Sequence, residues 1–487
     1  MEKRWCLVFD KYENLSKKAV NMLSGFVSGC LEYVLPVKFI DDVDEKTIEE
    51  NNLIIVGEMN GNRLLSFCEK QGLITVPQQT EGYSVYIGEN PWNEEGQIIA
   101  IAGYDERGVL YACADFCNKY CGEMLYKEGY LCGKTFFDDR FGKKLAKWQI
   151  SSAPAIKTRA IWTWGHVIYD YREFFENMTK LRLNEIVIWN DRAPLNAKDI
   201  VEYAHSLGIR VIWGFAWGWE TNCAKALEKF DEATCKKIKE TVLQTYEKDY
   251  ATTGADGIYF QSFTELQRED VAGKCIAEVV AELVNETSGE LLEKYPHLHI
   301  QFGLHATSVK TKLDIIAKVD KRVHIVWEDC GAFPFHYFTN KIEDFDETLA
   351  FTEQILKLRG DDENFGAVLK GMLNLDWQTF EHFSESYIMG ERTSSYLKER
   401  QIKKNKIWKI VQAGWLRNAE YARKMIALIA EKGNAPIVQG LVEDAMLENK
   451  IMVPVALFAE MLWNPNAKVE DIIEEVCKYP CVEFANV

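Results

Sequence analysis

Short runs of apolar residues alternate along most of this chain with stretches in which apolar positions recur every three or four residues. These are the signatures of buried strands and of amphipathic helices. Near the start, WCLVFD, EYVLPVKFI and LIIVG read as strands, while NLSKKAVNMLSGFVSGC and NRLLSFCEKQG carry helical spacing. GYSVYIG and GQIIAIAG predict two more strands, paired as a hairpin across the turn-rich ENPWNEE. GYDERGVLYACADFC follows. Gly103 ends a strand, Asp105 is placed to cap a helix, and Val109, Leu110, Ala112 and Phe116 give that helix an apolar face. Residues 1–150 therefore predict an α/β domain.

Around Pro154, which favours an extended linker, the pattern changes. Strands that are apolar almost throughout now alternate with amphipathic helices: RAIWTWGHV, NEIVIWND, IRVIWGFAWGW, DGIYFQSFTE, HIQFGLHA, RVHIVWED and GAVLKGMLNLDW each begin a unit. Runs of this kind belong to strands buried on both faces of a parallel sheet. Seven such units in sequence predict a (β/α)8 TIM-type barrel over residues 151–400, or failing that a doubly wound sheet. No eighth strand stands out. Residues 401–487 read as a C-terminal helical region in which IVQGLVEDAMLENKIM and VPVALFAEMLW both carry helical spacing.

Composition narrows the function. A length of 487 residues calls for two or three domains. The net charge of -17 argues against nucleic acid and disfavours an anionic membrane surface. No secretory leader or membrane span is visible, and the 13 cysteines show no metal or CxxC spacing. A cytoplasmic protein with reduced thiols and no metal or other cofactor is the expectation. The apolar, aromatic C-terminal helices are candidates to pair subunits as a homodimer.

In such a barrel, chemistry gathers at the C-terminal ends of the strands. Here those ends carry tryptophan and carboxylate repeatedly: Trp162, Trp164 and His166; Trp189, Asn190 and Asp191; Trp217 and Trp219; Gln261 and Glu265; His305; Glu328 and Asp329; Asp376 and Trp377. Aromatic rings cover the apolar faces of sugars, and polar side chains bond their hydroxyl edges. An oligosaccharide is the ligand this set suits. Glycosidic cleavage needs one protonated and one ionised carboxyl group. Glu265, after the apolar DGIYF, is the expected acid if neighbouring aromatics desolvate it. Glu328 or Asp329 is the expected ionised partner. The competing readings are structural: any one tryptophan can pack beneath a helix, Glu265 can cap one, and Glu328 or Asp329 can serve a salt bridge. His166, His305 and His336 stand on separate units without metal-ligand spacing.

Three segments resemble glycoside hydrolases that place a small α/β domain before a catalytic barrel. GYDERGVLY (103–111) resembles the GxDxRGxxYA signature of the alpha-glucuronidases of family 67 and the beta-N-acetylhexosaminidases of family 20. GADGIYFQSFTE (254–265) resembles the alpha-glucuronidase strand-four segment, whose final Glu is the general acid. LWNPNAKVEDIIEE (462–475) is similar to a segment of that family's C-terminal domain. The resemblance implies an exo-acting glycosidase with Glu265 as acid and leans towards inversion, with retention the open alternative. The hexosaminidase Asp-Glu pair is absent, because Thr264 precedes Glu265. The family-67 base motif has no match, so Glu328 and Asp329 are assigned by position alone. The alternatives are a beta-N-acetylhexosaminidase-like enzyme and a non-catalytic sugar-binding protein on the same scaffold.

Overall fold

The structure is a computed structural model that describes residues 3–122, 144–190, 192–218, 230–328, 341–360, 365–372, 385–442 and 445–485. Six strands form the front sheet: β1 (Arg4–Phe9), β2 (Val37–Phe39), β3 (Asn51–Glu58), β4 (Tyr83–Asn90), β5 (Asn93–Gly103) and β6 (Trp148–Ser152), in the order β2-β1-β3-β5-β4-β6. β4 and β5 pair antiparallel, as the hairpin pattern requires. Alternation along β1 sends Trp5, Leu7 and Phe9 to one apolar layer and Cys6 and Val8 to the other. Both faces of the sheet are therefore covered.

The barrel strands are β7 (Thr158–Trp164), β8 (Glu185–Trp189), β9 (Arg210–Gly214), β10 (Gly257–Gln261), β11 (His299–Leu304), β12 (Val323–Trp327), β13 (Phe365–Met372) and β14 (Ile437–Val442). They close into one eight-stranded barrel in chain order, every neighbour parallel. The fold is thus a (β/α)8 barrel behind an α/β domain, with helices at the C-terminal end.

The closing strand corrects two expectations. IVQGLV forms β14 rather than a helix, and the barrel runs past residue 400 to reach it. The connection is the 39-residue helix Ser394–Lys432, which returns the chain to the start of the barrel. A six-residue apolar run does not tell strand from helix by spacing. What ends it as a strand is the turn beyond, where Ala445 and Asn449 take positive φ. VPVALFAEMLW is a helix as expected, Val453–Trp463.

Two segments that carry the family resemblance hold the three parts of the molecule together. In GYDERGVLY, a Cβ at Gly103 would overlap the backbone nitrogen of Val109, so only glycine fits. Asp105 caps the helix Glu106–Asp115 by accepting from the Gly108 N–H at 2.8 Å, and it also accepts from the Glu81 N–H. Glu81 in turn binds Arg159 of the barrel at 2.6 Å. In LWNP, Trp463 lies in the apolar layer of the front domain, under the guanidinium groups of Arg159 and Arg182 at 5.1 and 4.5 Å.

Beside Trp463, the buried Arg182 of the barrel bridges Asp115 of the front domain, at 2.8 Å, and Glu460 of the C-terminal helix. Lys119, Tyr83 and Tyr479 complete the cluster. Among the described residues no helix is long and apolar enough to cross a membrane.

Candidate active site

Alternate residues of each barrel strand point inward, and register stacks them in layers. At the floor, Gln301 donates to Glu185 at 2.9 Å and accepts from Gln439 at 2.6 Å, while Arg210 pairs with Glu185 at 2.6 Å. Above lies an apolar layer of Trp162, Val187, Ile212, Tyr259, Val326, Val368 and Leu441. The same inward parity, carried two residues further along each strand, puts Trp164, Trp189, Gln261, His305, Glu328 and Lys370 at the mouth.

The mouth has two unlike halves. β7 and β8 supply an aromatic wall. Trp162 meets Trp164 edge-on at 4.8 Å, lies nearly parallel to Trp189 at 5.9 Å, and meets the Tyr259 ring edge-on at 5.8 Å. All three indoles are buried among these neighbours, so the wall is rigid.

The other half is a polar cluster centred on Glu328. Its carboxylate accepts from the Tyr259 hydroxyl at 2.5 Å and from the Gln261 amide at 2.6 and 2.8 Å. His305 Nε2 stands 3.1 Å from it and Lys370 Nζ 3.2 Å; the two nitrogens are 3.3 Å apart. Burial pushes the Glu328 pKa up, but His305 and Lys370, with hydrogen bonds from His305 and Tyr259, outweigh it and leave it well below the usual carboxylate range. Glu328 is therefore ionised at neutral pH. Gly303 makes the arrangement possible, since a Cβ there would overlap Glu328 Oε1. The ammonium of Lys370 is the nearest full counter-charge to this carboxylate.

The sequence candidates are distributed unevenly. Trp162, Trp164, Trp189, Gln261, His305 and Glu328 come together as described. Asn190 is buried at the end of β8, where its carbonyl accepts from the Tyr250 hydroxyl at 3.0 Å. His166 is half-buried on the single turn Gly165–Val167 after β7. Trp217 does not face the mouth. It stacks on Phe260, which points out of the barrel, at 3.5 Å between centroids, and so belongs to the layer between strands and helices. Asp191, Trp219, Asp329, Asp376 and Trp377 lie outside the described residues, as does His336.

Glu265 ends the single turn Phe263–Glu265 after β10 and is solvent-exposed rather than enclosed by aromatics. Its backbone is well anchored. Thr264 Oγ1 accepts from the His305 N–H at 3.1 Å, and the Thr264 carbonyl accepts from Ser308 at 2.8 Å.

Sequence reasoning missed Tyr259 and Lys370. Both were within reach of parity: Tyr259 is two residues before Gln261, and Lys370 interrupts an otherwise apolar strand.

Fold and mouth together define a (β/α)8-barrel protein whose strand ends hold an aromatic wall against one ionised carboxylate. No family model matches the chain, and no curated protein sequence matches it. Solved structures to which the chain is similar include a beta-N-acetylhexosaminidase, 10% identical over 82% of this chain and 87% of that one, with a TM-score of 0.44. Another is the spore cortex-lytic enzyme SleL of Bacillus megaterium QM B1551, 10% identical over 71% and 84%, TM-score 0.37. A third is a GH31 dextranase of Flavobacterium johnsoniae, 10% identical over 64% of this chain and 39% of that one, TM-score 0.36.

Proposed function

We propose that this chain is an exo-acting glycoside hydrolase that binds an oligosaccharide end in the barrel mouth. The observation that carries the reading is the pairing, in one mouth, of a fixed tryptophan wall with a carboxylate held ionised by four side chains. The wall suits the apolar face of a sugar ring, and the polar half suits its hydroxyl edge. An ionised carboxylate suits the charge that develops on the sugar as the glycosidic bond breaks.

In this reading Glu265 is the proton donor to the leaving oxygen. Because its side chain is exposed, bound saccharide rather than the protein alone must supply its desolvation. Glu328 is the ionised member of the pair, with Asp329 the alternative. Alpha-glucuronidase-like specificity is the finer version of the proposal and rests on the strand-four segment ending in Glu265.

One observation favours a second reading. Glu328 is 2% exposed and already has four partners, which also fits a silent sugar-binding protein. A panel of nitrophenyl glycosides and glucuronyl oligosaccharides, run beside calorimetry, separates the two. Sugar release supports the hydrolase, heat of binding without release supports the silent binder, and neither signal with any saccharide refutes both.

A further inference from the structure

The helix Ser394–Lys432 buries one face against the barrel through Leu397, Trp408, Val411 and Trp415. Its opposite face has an unusual make-up for so acidic a chain. Residues 398–409 hold six lysines and arginines and one glutamate, in a protein of net charge -17. At 100° per residue, Lys398, Ile402, Lys406 and Lys409 fall within about 80° of the helix circumference. No ion pair joins Lys398, Lys406 or Lys409 to another described residue, although Lys403 pairs with Glu399.

Apolar side chains accompany this basic stripe. Ile402, 79% exposed, lies within it; Ile410, 50% exposed, flanks it; and Phe484 of the C-terminal segment, 41% exposed, shares a groove with Ile402. Lys398, Ile402, Trp408, Glu483 and Phe484 line a groove of about 490 Å³ along the helix. The stripe begins at the mouth end of the barrel, since Arg400 donates to the hydroxyl of Tyr169, just beyond β7.

We infer that this stripe is a docking surface for an anionic lipid bilayer. Lysines attract anionic headgroups, and apolar side chains between them enter the acyl boundary. A nucleic acid or a polyanionic glycan satisfies the lysines and leaves Ile402, Ile410 and Phe484 in water. A second copy brought face to face sets lysine against lysine. The overall negative charge does not prevent docking. Beyond the Debye length of about 8 Å at physiological salt, the distant carboxylates are screened and the local patch governs.

Vesicle co-sedimentation with the full chain tests this. Vesicles of phosphatidylglycerol and phosphatidylcholine are expected to carry the protein down, and vesicles of phosphatidylcholine alone are not. Each lysine near an anionic surface strengthens binding roughly fivefold, so Lys398→Glu/Lys406→Glu/Lys409→Glu is expected to weaken it by about 100-fold or more. Ile402→Ser, which leaves the charge intact, is expected to weaken it by a smaller factor. An unchanged thermal unfolding curve for both variants separates lost docking from lost folding. No binding to the anionic vesicles overturns the inference. So does equal binding by the triple variant, or binding to duplex DNA or heparin with none to vesicles.

Discussion

Gly303 has the tightest steric demand in the mouth. Its missing side chain leaves the space in which Glu328 Oε1 sits, and a Cβ there would also lie 2.6 Å from the Tyr259 hydroxyl. Gly303→Ala must displace one of them. The expected result is a loss of about 1–3 kcal/mol in urea unfolding and, in the proposed hydrolase, at least a tenfold fall in kcat/KM. Gly289 is the matched control. It lies in the helix Ile276–Lys294 with open space where a Cβ would stand, so Gly289→Ala is expected to be neutral or to stabilise by up to about 1 kcal/mol. The same residue scale shows what a sequence can reveal about a mouth. Glu328 and Gln261 are polar at strand ends and stand out as candidates. Lys370 and Tyr259 obey the same parity but sit inside the strand, where polar residues are easily taken for packing. Trp217 misleads for the converse reason. It stands beyond a strand end like the others, but the chain there turns outward to stack on Phe260.

At the scale of elements, the contacts among the barrel, the front-domain helix Glu106–Asp115 and the helix Val453–Trp463 decide whether the parts act as one body. Arg182 is buried between Asp115 and Glu460. Removing one partner of a buried ion pair leaves uncompensated charge and typically costs about 3–5 kcal/mol. Arg182→Met is expected to lower the urea midpoint accordingly, and to let the front domain unfold separately, seen as non-coincident transitions by fluorescence and circular dichroism. The first seven barrel strands were legible because long apolar runs are separated by amphipathic helices. The eighth was hidden by its length and by its neighbours. It follows a 39-residue helix and precedes an apolar one, so its β-branched residues blended into a helical background.

For the whole molecule, the floor of the barrel sets a pH dependence. The His299 ring packs on His324 at 4.1 Å, and burial followed by the nearby Arg210 pulls its pKa down to about 3. In the unfolded chain the value is about 6.5. Between those values the unfolded chain holds the extra proton, so this group costs no stability above about pH 6.5 and costs progressively more as pH falls towards 3. Going from pH 7 to pH 5 is expected to cost at most about 2 kcal/mol from this residue, the limit set by protonation of the unfolded chain over that range. Urea titrations of the parent and of His299→Asn at both pH values measure it. The variant is expected to lose less stability between them, and equal losses contradict the assignment.

In the proposed hydrolase, Glu265 is the proton donor when the mouth cleaves a glycosidic bond. The most direct test is kcat/KM of Glu265→Gln beside the parent, on the best substrate of the glycoside panel. Removal of a general acid typically costs about 10²–10⁴-fold, and Glu265 is exposed, so the amide is expected to leave folding intact. A fall in that range with an unchanged unfolding midpoint is expected. Full activity in Glu265→Gln contradicts it.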